Sequence, residues 1–191
     1  MSSSIIRKDL PYERRERRYE VGIQGEMNVG NLLASHFGIR NVSYGFDNYS
    51  EGTDGYPDMV LKIKPPIAIE VKSISPFTRR KQKDKYVKSV GYVAIRREQW
   101  YSQLEFAKSR NARLILIVEV RMRDRGLYFW FDKDRIEEYM NKLNGQRVHI
   151  SFFNVLSEGT SLMYSKDLEY LEYWNNNSIF LDTVEVLKPL V

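Results

Sequence analysis

Residues 55–73 read GYPDMVLKIKPPIAIEVKS, and the order of residue types in them decides the fold. The second half, Ile67 to Lys72, alternates as a strand does. Ile67, Ile69 and Val71 share one face, and Glu70 and Lys72 share the other. Asp58 to Ile63 reads as a preceding strand. Lys64-Pro65-Pro66 suits the connection between them, because proline cannot donate to a ladder. A hairpin turning there brings Asp58 within about a rung or two of Glu70. The prolines leave the register open. If even-numbered positions oppose one another, Asp58, Glu70 and Lys72 all project from one face.

Two carboxylates held that close repel unless one is protonated or a cation sits between them. Lys72 supplies one positive charge, but a divalent ion with a preference for oxygen neutralises both acids better. Mg²⁺ takes one or two carboxylates together with waters and phosphate oxygens, and Mn²⁺ is a plausible substitute. Lys72, two residues along the strand from Glu70, would stand beside a metal-bound water. There it can orient the water or stabilise charge developing on phosphorus. The competing reading of a Glu-x-Lys pair is a solvated strand face. A third acid, Glu26, lies three residues before Val29 and seven before Leu33, on the buried stripe of an expected helix. A carboxylate facing a core is costly unless it is paired or metal-bound. A helix register that turns Glu26 to solvent, or an arginine partner, is the alternative.

The rest of the chain supplies the setting. Residues 1–16 form a basic N-terminal arm; RKDLPYERRERR at 7–18 carries six basic residues against three acids. A helix is expected from about Arg17 to Phe37, closing at Gly38, with Gly22, Gly25 and Gly30 weakening it. A short strand near 39–44 and a loop at 47–56 precede the motif. Residues 77–88 after it form a basic, mobile segment in which Arg79, Arg80, Lys81, Lys83, Lys85 and Lys88 face one acid. Such a segment leaving the motif can follow a phosphate backbone. Tyr92 to Ile95 is a short strand or the run into a helix at 96–110, and Leu114 to Val118 is a strand buried on both faces. A hairpin turning at 123–126, a helix at 133–143, a strand at 147–155, a helix at 166–174 and a strand at 179–186 complete the order, which is that of an α/β protein. His149, between Val148 and Ile150, is most simply a structural strand residue.

Composition narrows the function classes. With 42% hydrophobic and 13% aromatic residues the chain is a folded globular protein. Without cysteine, disulfides and thiolate metal sites are excluded, and two histidines make a histidine-rich zinc site a poor fit. No apolar run suits a membrane span or a signal peptide, so the expected address is the cytoplasm, with no membrane partner. The net charge is +5, divided as +9 over residues 1–131 and −4 over 132–191. That asymmetry points the first two-thirds toward a polyanion.

Tyr56-Pro57-Asp58 followed by Ile69-Glu70-Val71-Lys72 resembles the PD-(D/E)XK motif of a nuclease superfamily. The archaeal Holliday junction resolvases are the most similar members. Their first helix carries a glutamate before a Leu-Leu pair and a glycine, as in Glu26-Met27-Asn28-Val29-Gly30-Asn31-Leu32-Leu33 with Gly38 beyond. Phe106-Ala107, the aliphatic strand and the aromatic strand Tyr128 to Phe131 continue the likeness, which spans roughly 17–131. It extends to small nucleases of archaeal spindle-shaped viruses, for which the address would be the host cytoplasm.

The resemblance implies a restriction-endonuclease-like mixed central β-sheet flanked by helices over 17–131. Residues 132–191 would be a C-terminal α/β extension packed on it and a candidate dimer interface. It implies a Mg²⁺-dependent DNA endonuclease, a hydrolase acting through a metal-activated water, working as a homodimer without a small-molecule cofactor. Its metal ligands would be Asp58, Glu70 and the Val71 carbonyl. Lys72 would be the catalytic lysine, and Glu26 would act through water or on a second metal. The family pattern also has a serine on a short loop before the aspartate, for which this longer loop offers Ser43 and Ser50. Branched DNA is the substrate the likeness suggests. A non-catalytic nucleic-acid-binding or packaging protein with the same fold is the alternative.

Overall fold

The computed structural model describes residues 6–44, 55–82, 85–121 and 126–162. In chain order the elements are helix α1 (Ile6–Phe37), a 3-10 turn (Ile39–Asn41), and strands β1 (Val42–Tyr44), β2 (Met59–Leu61), β3 (Ile67–Ile74), β4 (Phe77–Gln82), β5 (Lys85–Val90) and β6 (Tyr92–Arg96). Helix α2 (Arg97–Ser109), strands β7 (Arg113–Arg121) and β8 (Gly126–Asp132), helix α3 (Lys133–Lys142), strand β9 (Arg147–Ser151), helix α4 (Phe152–Glu158) and strand β10 (Thr160–Ser161) follow.

The motif hairpin lies in a six-stranded sheet of order β1-β2-β3-β7-β8-β10. β3 is antiparallel to β2 and parallel to β7, so the sheet is mixed, and the crossover from β3 to β7 carries α2. Both faces are covered. On one, Ala68, Leu114, Leu116, Val118, Phe129 and Phe131 pack against Trp100, Leu104 and Ala107 of α2 and Ile136 and Met140 of α3. On the other, Ile67, Ile69, Val71, Ile115 and Ile117 pack against Val29 and Leu33 of α1. The architecture is a mixed α/β sheet flanked by helices, as the motif resemblance implies. Burying each such aliphatic side chain contributes roughly 1.5–3 kcal/mol, which holds β3 firmly on both faces.

Several sequence expectations change. The helix expected from Arg17 begins at Ile6 and continues past Pro11 to Phe37. Gly25 and Gly30, which weaken helix propensity, are buried contact points. A Cβ at Gly25 would stand 1.9 Å from Ser73 Oγ, and one at Gly30 would stand 1.9 Å from the Tyr44 hydroxyl. Their propensity cost is set against close approach of α1 to the sheet. Gly38 does end the helix: its φ is +87°, and its N–H reaches Ala34 O at 2.9 Å.

The segment at 77–88, expected to be mobile, is a β-hairpin, β4 pairing antiparallel with β5 from Phe77↔Val90 to Gln82↔Lys85. Thr78, Tyr86, Val87 and Val90 give it strand character beneath its charge. Tyr92 to Arg96 is a true strand because it has a distant partner, β9. The strand expected through Val155 stops at Ser151, whose hydroxyl caps α4 by accepting from Asn154 N–H at 3.2 Å. The helix expected at 166–174, the strand at 179–186, most of the 47–56 loop and the 123–125 turn lie outside the described residues.

Candidate active site

The register settles what the prolines left open. Met59 pairs with Ile69 and Leu61 with Ile67, so continuing the ladder by one rung sets Asp58 opposite Glu70. The Asp58 side chain folds onto the partner strand, where Oδ2 accepts the Val71 N–H at 2.7 Å. Glu70 is only 1% exposed, on the sheet face that α2 covers. Its Oε1 is hydrogen-bonded by Lys72 Nζ, and by Gln99 Nε2 at 3.2 Å. Its Oε2 is hydrogen-bonded by Gln103 Nε2. Gln103 Nε2 also reaches Tyr56 O at 3.0 Å, tying the loop before Asp58 to the glutamate. Lys72 is no surface pair member, since it donates both to Glu70 and, at 3.2 Å, to the Val71 carbonyl.

Charge follows this geometry. The Asp58 carboxyl is pushed well above the ordinary aspartate range, first by burial and then by Glu70 beside it; Lys72 and the Val71 N–H oppose the rise. Burial alone would depress Lys72, but Glu70 and Asp58 outweigh it and raise its pKa, so Lys72 is an ammonium. Glu26 on α1 is raised to about 6, by burial first; Lys72 lowers it and Glu70 raises it. Glu26 therefore belongs electrostatically to the same cluster, although α1 and α2 lie on opposite faces of the sheet.

The donors suit a hard cation. The Glu70 carboxylate and the Val71 carbonyl already converge on one positive charge, that of Lys72, and Asp58 stands on the adjoining rung. All are oxygens, the donor type Mg²⁺ and Mn²⁺ take. Among the described residues, no three Asp, Glu, His or Cys side chains are grouped as ligands of one ion. Such an ion would therefore rest on two carboxylates and a carbonyl with water completing its shell, and Glu26 stands outside that direct set.

The structure adds residues with no mark in the sequence. Gln99 and Gln103 sit four apart on α2 and look like solvent-facing polar positions, yet both reach Glu70. Because Gln103 fixes the glutamate and the motif loop together, the nuclease activity that the motif resemblance implies would fall by about 10- to 100-fold in Gln103→Leu. The loss should be partly recovered at high metal concentration, with Tm little changed. A loss that metal does not alter, accompanied by lower Tm, would make Gln103 only a packing residue.

A second buried carboxylate lies nearby. Glu119, 1% exposed, accepts from Asn28 Nδ2 at 2.6 Å, Ser73 Oγ at 2.7 Å and Arg121 Nε at 2.8 Å. Burial would raise its pKa, but these donors hold it below the usual range. The network pins α1 to β3 and β7 two residues from Glu26. Of the basic residues expected to contact nucleic acid, Arg79, Arg80, Lys81, Lys85 and Lys88 lie on the β4–β5 hairpin, and Lys83 falls outside the described residues. Ser43 pairs with Val60 in β1 and β2, and Ser50 is not among the described residues.

No family model matches the chain. No curated protein matches it either. A solved structure does. Hjc from Archaeoglobus fulgidus, a Holliday junction resolvase from an archaeal hyperthermophile, superposes with a TM-score of 0.51. The match covers 74% of this chain and 96% of that one at 14% identity. The fold is resolvase-like. Among the described residues no helix is long and apolar enough to cross a membrane.

Proposed function

We propose that the chain is a divalent-metal-dependent DNA endonuclease that hydrolyses phosphodiester bonds in branched DNA, four-way junctions included. The observation that carries this reading is Asp58 opposite buried Glu70, with Lys72 bonded to that glutamate and to the Val71 carbonyl. The likeness of the fold to Hjc supports it and suggests the branched substrate. Asp58, Glu70 and the Val71 carbonyl would hold Mg²⁺, or Mn²⁺ in its place. A bound Mg²⁺ supplies Lewis-acid polarisation of a phosphate oxygen and a water acidic enough to attack near neutral pH.

The chain's own groups do the rest. Gln99 and Gln103 keep the Glu70 carboxylate in one orientation. The Lys72 ammonium orients water and offsets negative charge growing on the phosphoryl oxygens. Glu26 acts through water from the α1 side. The β4–β5 hairpin engages the phosphate backbone. A homodimer would let two such sites cut symmetric strands.

The test is a set of labelled substrates (four-way junction, flap, nicked duplex, blunt duplex and single strand) incubated with Mg²⁺, Mn²⁺ or EDTA. Metal-dependent cleavage strongest on the junction is expected. DNA binding without cleavage under any metal would instead make the chain a binding module, and equal cutting of all substrates would remove branch selectivity.

A further inference from the structure

Where the apolar contact between α1 and the sheet ends, a buried charge takes over. Ile115, Ile117 and Glu119 occupy alternate positions of β7, and Glu119 shares a rung with Ser73, two residues beyond Val71 on β3. Gly25 of α1 abuts that rung: a Cβ there would stand 1.9 Å from Ser73 Oγ and 3.1 Å from Glu119 Oε2. Close approach of α1 at this point therefore requires a glycine. Three residues on, Asn28 Nδ2 donates to Glu119 Oε1 at 2.6 Å. Gln24 Nε2 donates to Asn28 Oδ1 at 2.9 Å, which fixes the amide with its donor toward the carboxylate. Ser73 Oγ and Arg121 Nε donate to Oε2, and these donors together keep Glu119 ionised.

The helix geometry connects this network to Glu26. At about 100° per residue, Gly25 and Val29 face the sheet, and Glu26 and Asn28 fall about 80° to either side of that stripe. Burial agrees: Gly25 and Val29 are buried, Glu26 and Asn28 half-buried, Gln24 and Met27 exposed. The packing of Val29 and Leu33 against Ile69, Val71, Ile115 and Ile117 holds α1 down but is non-directional. A hydrogen bond has a preferred direction, and Asn28–Glu119 grips one flank of the helix. A roll of about 20° would carry the carboxylate on the other flank by on the order of 2 Å, since the helix with its side chains is about 5–6 Å in radius.

We propose that Glu119 is a positioning residue of the nuclease site: through Asn28 and Ser73 it locks the roll of α1 on the sheet and so sets how closely the Glu26 carboxylate approaches Glu70 and Lys72. The inference rests on the nuclease reading for what Glu26 does there. Glu119 acts through the helix and not on the substrate.

Helix position and cleavage are read separately to test it. The chain has no cysteine, so nitroxides at Met27→Cys and Leu143→Cys are unique labels. Both positions are exposed, one on α1 and the other at the end of α3, which packs on the opposite face of the sheet. Double electron–electron resonance in EDTA, without DNA, is expected to show the distance distribution displaced or broadened by about 2 Å in Asn28→Ala. Asn28→Asp, which sets a second carboxylate against Glu119, should move it further. In the unlabelled chain Asn28→Ala is expected to lower single-turnover cleavage of a four-way junction by about 10- to 100-fold. Added to Glu26→Gln, the same change should cost less than about two-fold, because the group it misplaces is already gone. Glu119→Gln, whose amide oxygen can still accept from Asn28, should fall between wild type and Asn28→Ala in both readouts. Thermal melts give the folded fraction against which cleavage is counted. Unchanged distances in both Asn28 variants, or the same fold-loss with and without Glu26, would overturn the positioning role and leave the network a buried staple. A wild type that cuts no DNA, with the displacement present in the variants, would overturn the nuclease reading and leave only the lock on α1.

Discussion

Glu70→Gln, Asp58→Asn and Lys72→Ala are each expected to reduce metal-dependent cleavage by about 10²- to 10³-fold or more while the protein remains folded. Removing one preorganised electrostatic partner of a transition state costs about that much in other enzymes. The reason differs for each position. Glu70→Gln retains the shape but removes charge from the group on which Lys72, Gln99 and Gln103 all converge. Lys72→Ala removes the ammonium and leaves Glu70 with its two glutamine donors. The side chain of Lys72 is 28% exposed, so solvent partly compensates Glu70 in that variant. Its fold should survive, although losing a buried charge partner is costly. Single-turnover cleavage of the junction substrate, beside thermal melts of each variant, checks the expectation. If Glu70 and Lys72 were only a structural ion pair, Tm would fall and cleavage per folded molecule would not.

The motif was legible because chain connectivity does most of the work. Once Pro65-Pro66 breaks the ladder, a short hairpin has few registers, and the observed one sets Asp58 opposite Glu70. Glu26 was legible through its spacing from Val29 and Leu33, which do face the sheet. What stayed hidden depended on partners remote in sequence. Glu119 ends a run of aliphatics, and the donors that make its burial tolerable include, beside Arg121 of its own strand, Asn28 and Ser73 from two other elements. Gln99 and Gln103 read as ordinary helix polarity until α2 is laid over β3. The charge of residues 79–88 concealed a hairpin, since lysine and arginine lower strand propensity less than cross-strand pairing restores it. The β6–β9 ladder joins two strands whose pairing no local pattern announces.

The acid cluster also predicts a conflict between stability and activity. Asp58 and Glu26 both titrate above their ordinary values in the folded, metal-free protein. A raised carboxyl binds its proton more tightly folded than unfolded, so its contribution to stability is present at low pH. That contribution is lost as pH rises toward the folded-state value. For Glu26 the window runs from 4.5 to about 6, and for Asp58 it begins near the ordinary aspartate value and extends upward. In EDTA the wild-type Tm is therefore expected to decline from pH 5 to pH 7 more than in Asp58→Asn. The asparagine still offers an oxygen to the Val71 N–H but carries no charge to repel Glu70. At pH 7 the variant should melt higher than wild type; a gain of about 1 kcal/mol corresponds to roughly 2–4 °C for a chain of this size. Glu26→Gln should show the same sign with a smaller rise, because burial lifts Glu26 only to about 6 while Asp58 is pushed well above its ordinary value. Adding Mg²⁺ should raise the wild-type Tm, by about 2.7 kcal/mol of stability at a hundred times the dissociation constant, and leave Asp58→Asn nearly unmoved. Differential scanning fluorimetry across pH, with and without metal, measures all three effects. Parallel pH profiles for wild type and Asp58→Asn, or an equal Mg²⁺ shift in both, would mean that Asp58 and Glu70 do not share the charge on which the proposed cation site depends.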